Sequence, residues 1–128
     1  MNEHAFDAEK RKSEQKELDV FTHAKQLGEY IFQITKKAPK EYRWSIVNAL
    51  LNESVNLVRA LYTANSLIDD RRRDKQSEAD TSLKTIGWLA GVAHHMQVFT
   101  NKQAEYLGHL ALETRKSLWK WIKGSGTG

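Results

Sequence analysis

The chain has 128 residues and a mass of 14.7 kDa, the size of one domain that can bury a core without metal or disulfide staples. It contains no cysteine, which excludes disulfides, thiolate zinc sites, iron–sulfur clusters and thiol nucleophiles. The net charge is +4, with four basic and six acidic residues in 1–24 and sixteen basic and ten acidic residues in 25–128. This balance permits the binding of a polyanion but does not by itself establish it.

The composition also bears on fold class and location. A single proline, with 40% hydrophobic and 28% charged residues, predicts long uninterrupted helices. No apolar run approaches the roughly 18 residues of a membrane span, and the first residues lack the charged and apolar regions of a signal peptide. We therefore expect a cytoplasmic, all-α protein.

The first half of the chain predicts two helices joined at a proline. Residues 1–17 are nearly all polar and predict a charged lead-in that is helical or frayed, ahead of a bundle over residues 18–123. The first helix follows an apolar seam with steps of three and four residues, formed by Val20, Ala24, Leu27, Ile31 and Ile34. It ends at Ala38, because a proline disfavours helix for the residue before it. The second helix runs from about Pro39 to at least Ile68.

The second half predicts two more helices. We place the connection that precedes them within residues 69–80, where charged side chains interrupt the apolar pattern. The third helix then continues to near Phe99. Thr100 and Gln103 predict a capping box at the start of the fourth helix, which ends near Lys123.

Short connections make neighbouring helices antiparallel, so the predicted fold is an up-down-up-down four-helix bundle, with residues 124–128 as a flexible tail. In this topology the connections between helices 1 and 2 and between helices 3 and 4 lie at one end. The connection between helices 2 and 3 lies at the other end, together with both chain termini.

The predicted helices carry more apolar surface than one bundle can bury. Trp88, Val92 and Phe99 lie on the side of the third helix opposite its core seam, and Leu112 and Trp119 widen the stripe of the fourth. Helices with two apolar faces are typical of subunits, so we predict that these residues form the interface of a homo-oligomer. The alternative is that Trp88 and Phe99 cover loop residues or the N-terminal segment of the same chain.

The sequence contains no recognisable catalytic or metal-binding pattern. His94 and His95 are adjacent and point about 100° apart on a helix, so they cannot chelate one ion together. The Glu-x-x-His pairs of di-iron bundles, a glycine-rich phosphate loop and a nucleophile setting are all absent. The sequence therefore predicts a non-enzyme with no cofactor and no metal.

Basic residues form clusters at both ends of the predicted bundle. At the end that holds the connection between helices 2 and 3, the candidate nucleic-acid-binding residues are Arg71, Arg72, Arg73, Lys75, Arg115, Lys116, Lys120 and Lys123. At the opposite end lie Lys36, Lys37, Lys40, Arg43 and Lys102. Such clusters neutralise phosphates without reading bases, so we expect contact with RNA or DNA. The alternative is that the triple arginine pairs with its acidic neighbours, among them Asp70, Asp74 and Asp80.

A family resemblance rests on the segment Lys36-Lys37-Ala38-Pro39-Lys40-Glu41-Tyr42-Arg43. The pattern Lys-Lys-x-Pro-Lys-Glu-x-Arg resembles that of a bacterial four-helix-bundle family. This family includes the proteins encoded by intervening sequences in 23S ribosomal RNA genes and the accessory variability determinant (Avd) of diversity-generating retroelements. The Trp121-Ile122 pair and the Thr-x-x-Gln start of the fourth helix are more similar to Avd.

The resemblance to Avd implies a homopentameric barrel with a basic surface. Such a barrel binds the reverse transcriptase of the retroelement and helps it copy template-repeat RNA into mutagenised cDNA, with no catalysis of its own. The resemblance to the intervening-sequence proteins implies the alternative, a structural or interaction bundle with no nucleic-acid role. A neighbouring reverse-transcriptase gene with a template repeat favours the first function, and a location within a ribosomal RNA gene favours the second.

Overall fold

The computed structural model describes residues 3–125, which form four α-helices and no β-strand. The helices are α1 (Glu3–Lys36), α2 (Asn48–Asn65), α3 (Asp69–His95) and α4 (Asn101–Ser125). A 3₁₀ turn at Lys40–Tyr42 and a π-helical turn at Arg43–Val47 lead into α2. No helix in this part of the chain is both long and apolar enough to cross a membrane.

The four helices pack around one apolar core. α1 packs against α2 and α4, and α3 packs against the same two helices. The seam predicted for the first helix faces this core, because all of its members are buried: Val20, Ala24, Leu27, Ile31 and Ile34. The prediction of an all-α protein is confirmed, and the helix order and contacts are those of a four-helix bundle.

α1 is the longest helix of the bundle. Its 34 residues rise about 51 Å, whereas the 25 residues of α4 rise about 38 Å. The charged lead-in and the first predicted helix form one continuous helix from Glu3. Of the predicted tail over 124–128, the first two residues belong to α4 and the last three lie outside the described residues.

The connection between α2 and α3 is shorter and earlier than predicted. Residues 66–68 make the turn, and the predicted connection over 69–80 is helical instead. That prediction was wrong because the inward positions of this stretch are partly polar: Gln76 and Asp80 are both buried. A search for apolar periodicity therefore does not detect the first half of α3.

The end of α3 is set by a Schellman motif, four residues before the predicted end near Phe99. The Val98 N–H donates to the Ala93 carbonyl at 2.8 Å, and the Gln97 N–H donates to the His94 carbonyl at 3.0 Å. Gln97 takes the left-handed conformation that this motif requires, with φ of 62°. The chain consequently turns toward the core before it reaches Phe99.

The capping box predicted at the start of α4 is confirmed. The Thr100 N–H donates to Gln103 Oε1 at 2.9 Å, and the Gln103 N–H donates to Thr100 Oγ1 at 3.1 Å. Both backbone donors would otherwise lack a partner at a helix start. The cap and the preceding Schellman motif together make a tight turn between α3 and α4.

Candidate nucleic-acid interface

One exposed surface of α4 carries both kinds of residue that the sequence singles out. We call it the α4 face and define it by the residues that line an open hollow of about 440 Å³: Leu112, Arg115, Lys116, Trp119, Lys120 and Lys123. Steps of three and four residues place these side chains next to one another along the helix. The predicted apolar interface and the predicted phosphate contacts of this helix therefore lie side by side on the α4 face.

A buried carboxylate on α3 is attached to this face. Asp80 accepts the Arg115 Nε–H at 2.6 Å and the Trp119 Nε1–H at 3.1 Å, and it lies 3.4 Å from Lys84 Nζ. Burial alone raises the pKa of the Asp80 carboxyl, but the hydrogen bond and charge of Arg115, helped by Trp119 and Lys84, outweigh burial and lower the pKa below its usual value. Arg115 is therefore engaged inside the chain, and the Trp119 ring is held by its N–H.

Arg72 points inward instead of toward solvent. Its Nε–H donates to the carbonyls of Leu67 at 2.8 Å and Ala64 at 3.1 Å, and Nη2 donates to the Asn65 carbonyl at 3.4 Å. These carbonyls lie at the C-terminal end of α2 and in the turn after it, where the regular i+4 N–H donors of a helix run out; the Ala64 carbonyl also accepts the Leu67 N–H at 3.2 Å. The structure thus gives Arg72 a capping role in place of the predicted phosphate contact.

The other α3 cations fall on two sides of the helix. Arg71 and Lys75, four residues apart, lie on the side of α3 that faces α2. There Lys75 lines a groove between the two helices, and its Nζ is 3.1 Å from Glu78 Oε1. Arg73 lies seven residues before Asp80 and so shares the side that meets α4. The triple arginine therefore does not form one patch.

Ion pairing separates the cations that are free from those that are not. Lys116 Nζ lies 3.3 Å from Glu113 Oε1, an exposed pair of low strength. Arg73, Lys120 and Lys123 are exposed, and none of them makes a hydrogen bond or ion pair with any side chain that the structure describes. Lys120 and Lys123 therefore carry unpaired positive charge on the α4 face, and Arg73 carries it on the side of α3 that meets α4.

Phe99 is not on the outer surface, contrary to the prediction. Its side chain is 3% exposed and belongs to the apolar core. The physical reason is the early end of α3 at His95: beyond it the positions no longer follow the helical wheel. Phe99 is therefore covered by its own chain and offers no surface for an interface.

The remaining predicted interface residues keep apolar surface outside the core. Trp88 is 67% exposed on α3, Val92 is partly exposed, and Leu112 and Trp119 are exposed on α4. Beside Trp88, a Cβ built on Gly87 meets no atom within 4 Å, and the same holds for Gly91. This side of α3 is accordingly open to the close approach of another molecule.

A third surface lies at the turn between α1 and α2. We call it the corner and define it by Lys36, Lys37, Lys40, Arg43 and Trp44. Its cations are recognisable from the sequence, whereas Trp44, which is 83% exposed, carries no sequence signal that marks it as a surface residue. In a regular helix Trp44 would lie near the seam position Val47, three residues later; the π-helical turn changes the phase and rotates Trp44 away from it.

A metal site needs several His, Asp or Glu side chains close together. In the part of the chain that the structure describes, no three or more His, Asp or Glu residues come together in a way that could hold a metal ion. His94 and His95 are both exposed at the end of α3.

Comparison with known proteins identifies the family. A family model described as bAvd-like matches residues 14–125. This range covers α2, α3 and α4 in full and α1 from residue 14 onward. No curated protein and no solved structure matches the chain. The chain belongs to the bAvd-like family, which confirms the resemblance to Avd-type proteins.

Proposed function

We propose that this member of the bAvd-like family is a non-catalytic accessory protein of a diversity-generating retroelement. In this role it assembles as a homo-oligomer, a pentamer by resemblance to Avd, and binds the reverse transcriptase together with RNA or cDNA to support mutagenic retrohoming. The observation that carries the proposal is the α4 face, where unpaired Lys120 and Lys123 lie beside the exposed Leu112 and Trp119.

The chemistry of the α4 face supports contact with a polyanion. Lys120 and Lys123 are one turn apart on the exposed side of the helix, a spacing at which both ammonium groups can reach one phosphate backbone. Such contacts position a strand without reading its sequence. Each copy offers few free cations, but copies in a closed assembly present them together, so weak contacts combine into avidity.

The open side of α3 supports the assembly. Trp88 would leave water on contact with another copy, and burying a large aromatic side chain stabilises an interface by roughly 1.5–3 kcal/mol. Gly87 and Gly91 would let the neighbouring backbone approach closely. The α3 side and the apolar part of the α4 face are the proposed contact between copies.

A second candidate function is a structural or interaction bundle of the 23S rRNA intervening-sequence type with no nucleic-acid role. The observation that favours it is internal pairing of half of the predicted phosphate contacts. The engaged cations are Arg72, Lys75, Arg115 and Lys116. Cations that satisfy groups of their own chain contribute less to polyanion binding.

The experiment that separates the two functions is a salt titration of binding to a fluorescent single-stranded RNA. We expect Lys120→Glu/Lys123→Glu to weaken binding and to lower the slope of log affinity against log salt by about 1–2, since each lost phosphate contact on a single strand accounts for roughly 0.7. Lys25→Glu/Arg59→Glu is the matched control, because it changes the net charge equally on exposed mid-bundle positions.

The outcomes differ clearly. An equal loss in both double variants would assign binding to net charge and remove the α4 face from the interface. Absence of binding by the wild type, with no capture of a reverse transcriptase encoded beside the gene, would favour the second function.

A further inference from the structure

The corner carries the densest unpaired positive charge that the structure describes. Residues 36–43 contain four cations, Lys36, Lys37, Lys40 and Arg43, and one acid, Glu41. Among the side chains that the structure describes, none forms an ion pair or a hydrogen bond with these four cations. Like charges crowded on one turn of chain repel one another, and a bound polyanion relieves this repulsion. The corner thus differs from the opposite end of the bundle, where half of the predicted contacts are already engaged.

A hollow of about 610 Å³ opens beside three of these cations. Phe32, Val47 and Leu51 line its apolar part, and Lys36, Lys40 and Arg43 line its charged part. Its volume falls within the roughly 300–1,000 Å³ typical of small-molecule sites. An apolar surface beside cations matches the two chemical halves of a nucleotide, the base and the phosphate.

Trp44 adds an aromatic platform directly after Arg43. Its ring is almost entirely exposed, although Trp is among the side chains that gain most from burial. Base stacking on an exposed aromatic ring strengthens binding and tolerates any sequence. A duplex keeps its bases stacked on one another, so only a single strand can use such a platform.

The backbone holds the corner in a defined shape. Thr35 Oγ1 donates to the Ile31 carbonyl at 2.7 Å, which anchors the last turn of α1. Pro39 is extended, with φ of −57° and ψ of 140°, and the Asn48 N–H donates to the Arg43 carbonyl to close a π-helical turn. π-helical turns occur frequently at functional sites. Trp44 and Arg43 are therefore presented by a formed turn, which lowers the entropy lost when a ligand binds.

We propose that the corner is a nucleic-acid site distinct from the α4 face, which binds a single strand by stacking a base on Trp44 and by pairing its phosphates with Lys36, Lys40 and Arg43. This inference rests on the proposed function for the presence of a single-stranded RNA or cDNA, and it names the strandedness of the partner and a place where it binds. The α1–α2 turn and the α2–α3 turn lie at opposite ends of the bundle, so a strand that reaches both surfaces runs along its length.

The test compares two substitutions at Trp44 in the full-length chain. Fluorescence anisotropy is measured with a 20-nucleotide oligo-U, an oligo-dT of the same length and a matched duplex. Trp44→Ala is expected to weaken single-strand binding about tenfold, the equivalent of about 1.4 kcal/mol, with an unchanged salt slope. Trp44→Phe keeps a stacking ring and is expected to bind within about twofold of the wild type.

A charge variant tests the proposed phosphate contacts of the corner. Lys36→Gln/Lys40→Gln/Arg43→Gln is expected to lower the salt slope for the single strand by about 2, at roughly 0.7 per phosphate contact. Its control is Lys10→Gln/Lys25→Gln/Arg59→Gln, which removes the same charge from exposed positions away from the corner. Because every substituted side chain is exposed, circular dichroism is expected to show unchanged helicity for both variants.

Several outcomes would overturn the corner site. Single-strand binding by Trp44→Ala at wild-type affinity would do so, as would equal affinity for the duplex. If Trp44→Ala leaves oligonucleotide binding intact but abolishes capture of the reverse transcriptase, the corner is a protein docking surface instead. If only Lys120→Glu/Lys123→Glu weakens binding, the corner inference fails while the proposed function stands.

Discussion

The guanidinium of Arg72 lies over the indole ring of Trp121, with its Cζ 5.6 Å from the ring centroid. Arg72 is in the first turn of α3, and Trp121 is in the last turns of α4. The same guanidinium donates to the Ala64 carbonyl at the end of α2 and to the Leu67 carbonyl in the turn after it. One side chain therefore connects three helices at the end where the turn is shortest. This position explains why α3 can begin directly after residues 66–68.

The Arg72 contacts predict a stability effect that Lys cannot rescue. Arg72→Lys keeps the charge but loses the planar group that donates to two carbonyls at once and stacks on an indole. We expect a loss of about 1–3 kcal/mol in the free energy of unfolding, measured by urea titration. Arg73→Lys, at an exposed neighbouring position, is the control and should change stability by less than about 0.5 kcal/mol. Equal effects at both positions would contradict the capping role.

Asp80 predicts a dependence of stability on pH. Its pKa is lower in the folded chain than the ordinary value of 3.8, so the ionised carboxylate stabilises the fold above that value. This contribution is lost as the pH falls through the folded pKa. Asp80→Asn should therefore lower the free energy of unfolding by about 1–3 kcal/mol at neutral pH, and the difference from the wild type should shrink below about pH 4.

The measurement for Asp80 is urea unfolding of both proteins at neutral pH and near pH 3. Glu78→Gln serves as the control, because the Lys75–Glu78 pair is exposed and contributes at most about 1 kcal/mol. A deficit of Asp80→Asn that stays the same at both pH values would show that the charge is not what stabilises the fold.

The left-handed residue at the end of α3 predicts a stabilising substitution. Gln97 has φ of 62°, a conformation in which glycine carries no steric penalty. Gln97→Gly should raise the free energy of unfolding by about 0.5–1 kcal/mol, seen as a higher melting temperature. His94→Gly, three residues earlier in regular helix, should instead lower it by about 1 kcal/mol. A loss of stability in Gln97→Gly as large as that in His94→Gly would argue against the left-handed conformation of Gln97.

The exposed apolar residues predict a change in assembly without a change in fold. We expect the wild type to be an oligomer whose mass, measured by light scattering, persists at high salt because the contact is apolar. Trp88→Glu or Leu112→Glu should lower that mass while helicity is retained, since neither side chain is in the core. Trp44→Glu also replaces an exposed apolar side chain with an acidic one, but it lies at the corner. This variant should leave the mass unchanged. A monomeric wild type would remove the assembly from the proposed function.

Apolar periodicity predicts most of the fold. The seam of α1 and the Thr100–Gln103 capping box can be found from sequence because each depends on residues a few positions apart. The first half of α3 cannot, because Gln76 and Asp80 occupy its buried positions and Asp80 is satisfied by residues of α4 about 35 positions away. Contacts between distant segments decide that a polar side chain points inward, and no local pattern contains them.

The candidate surfaces are predicted less well, for related reasons. Charge identifies Lys120 and Lys123, but it does not show that Arg72 caps a helix or that Arg115 is held by Asp80. Phe99 is wrongly predicted to be on the outer side of the third helix, because the helical wheel is continued to Phe99 although α3 ends at His95. The exposure of Trp44 follows from a π-helical turn, a local change of pitch that sequence spacing does not reveal.

The Asp80–Arg115 pair also fixes how α3 and α4 align along their length. Apolar seams tolerate a shift of one helix past the other by a turn, about 5.4 Å, because one aliphatic side chain can replace another. A buried carboxylate does not tolerate it, since the shift would leave the charge without its partner. The pair therefore fixes the axial register of α4 against α3. It thereby fixes the position of Lys120 and Lys123 along the length of the bundle. In an assembly of identical copies, these two lysines take the same axial position in every subunit. The lysines of all copies together then form a continuous belt of positive charge.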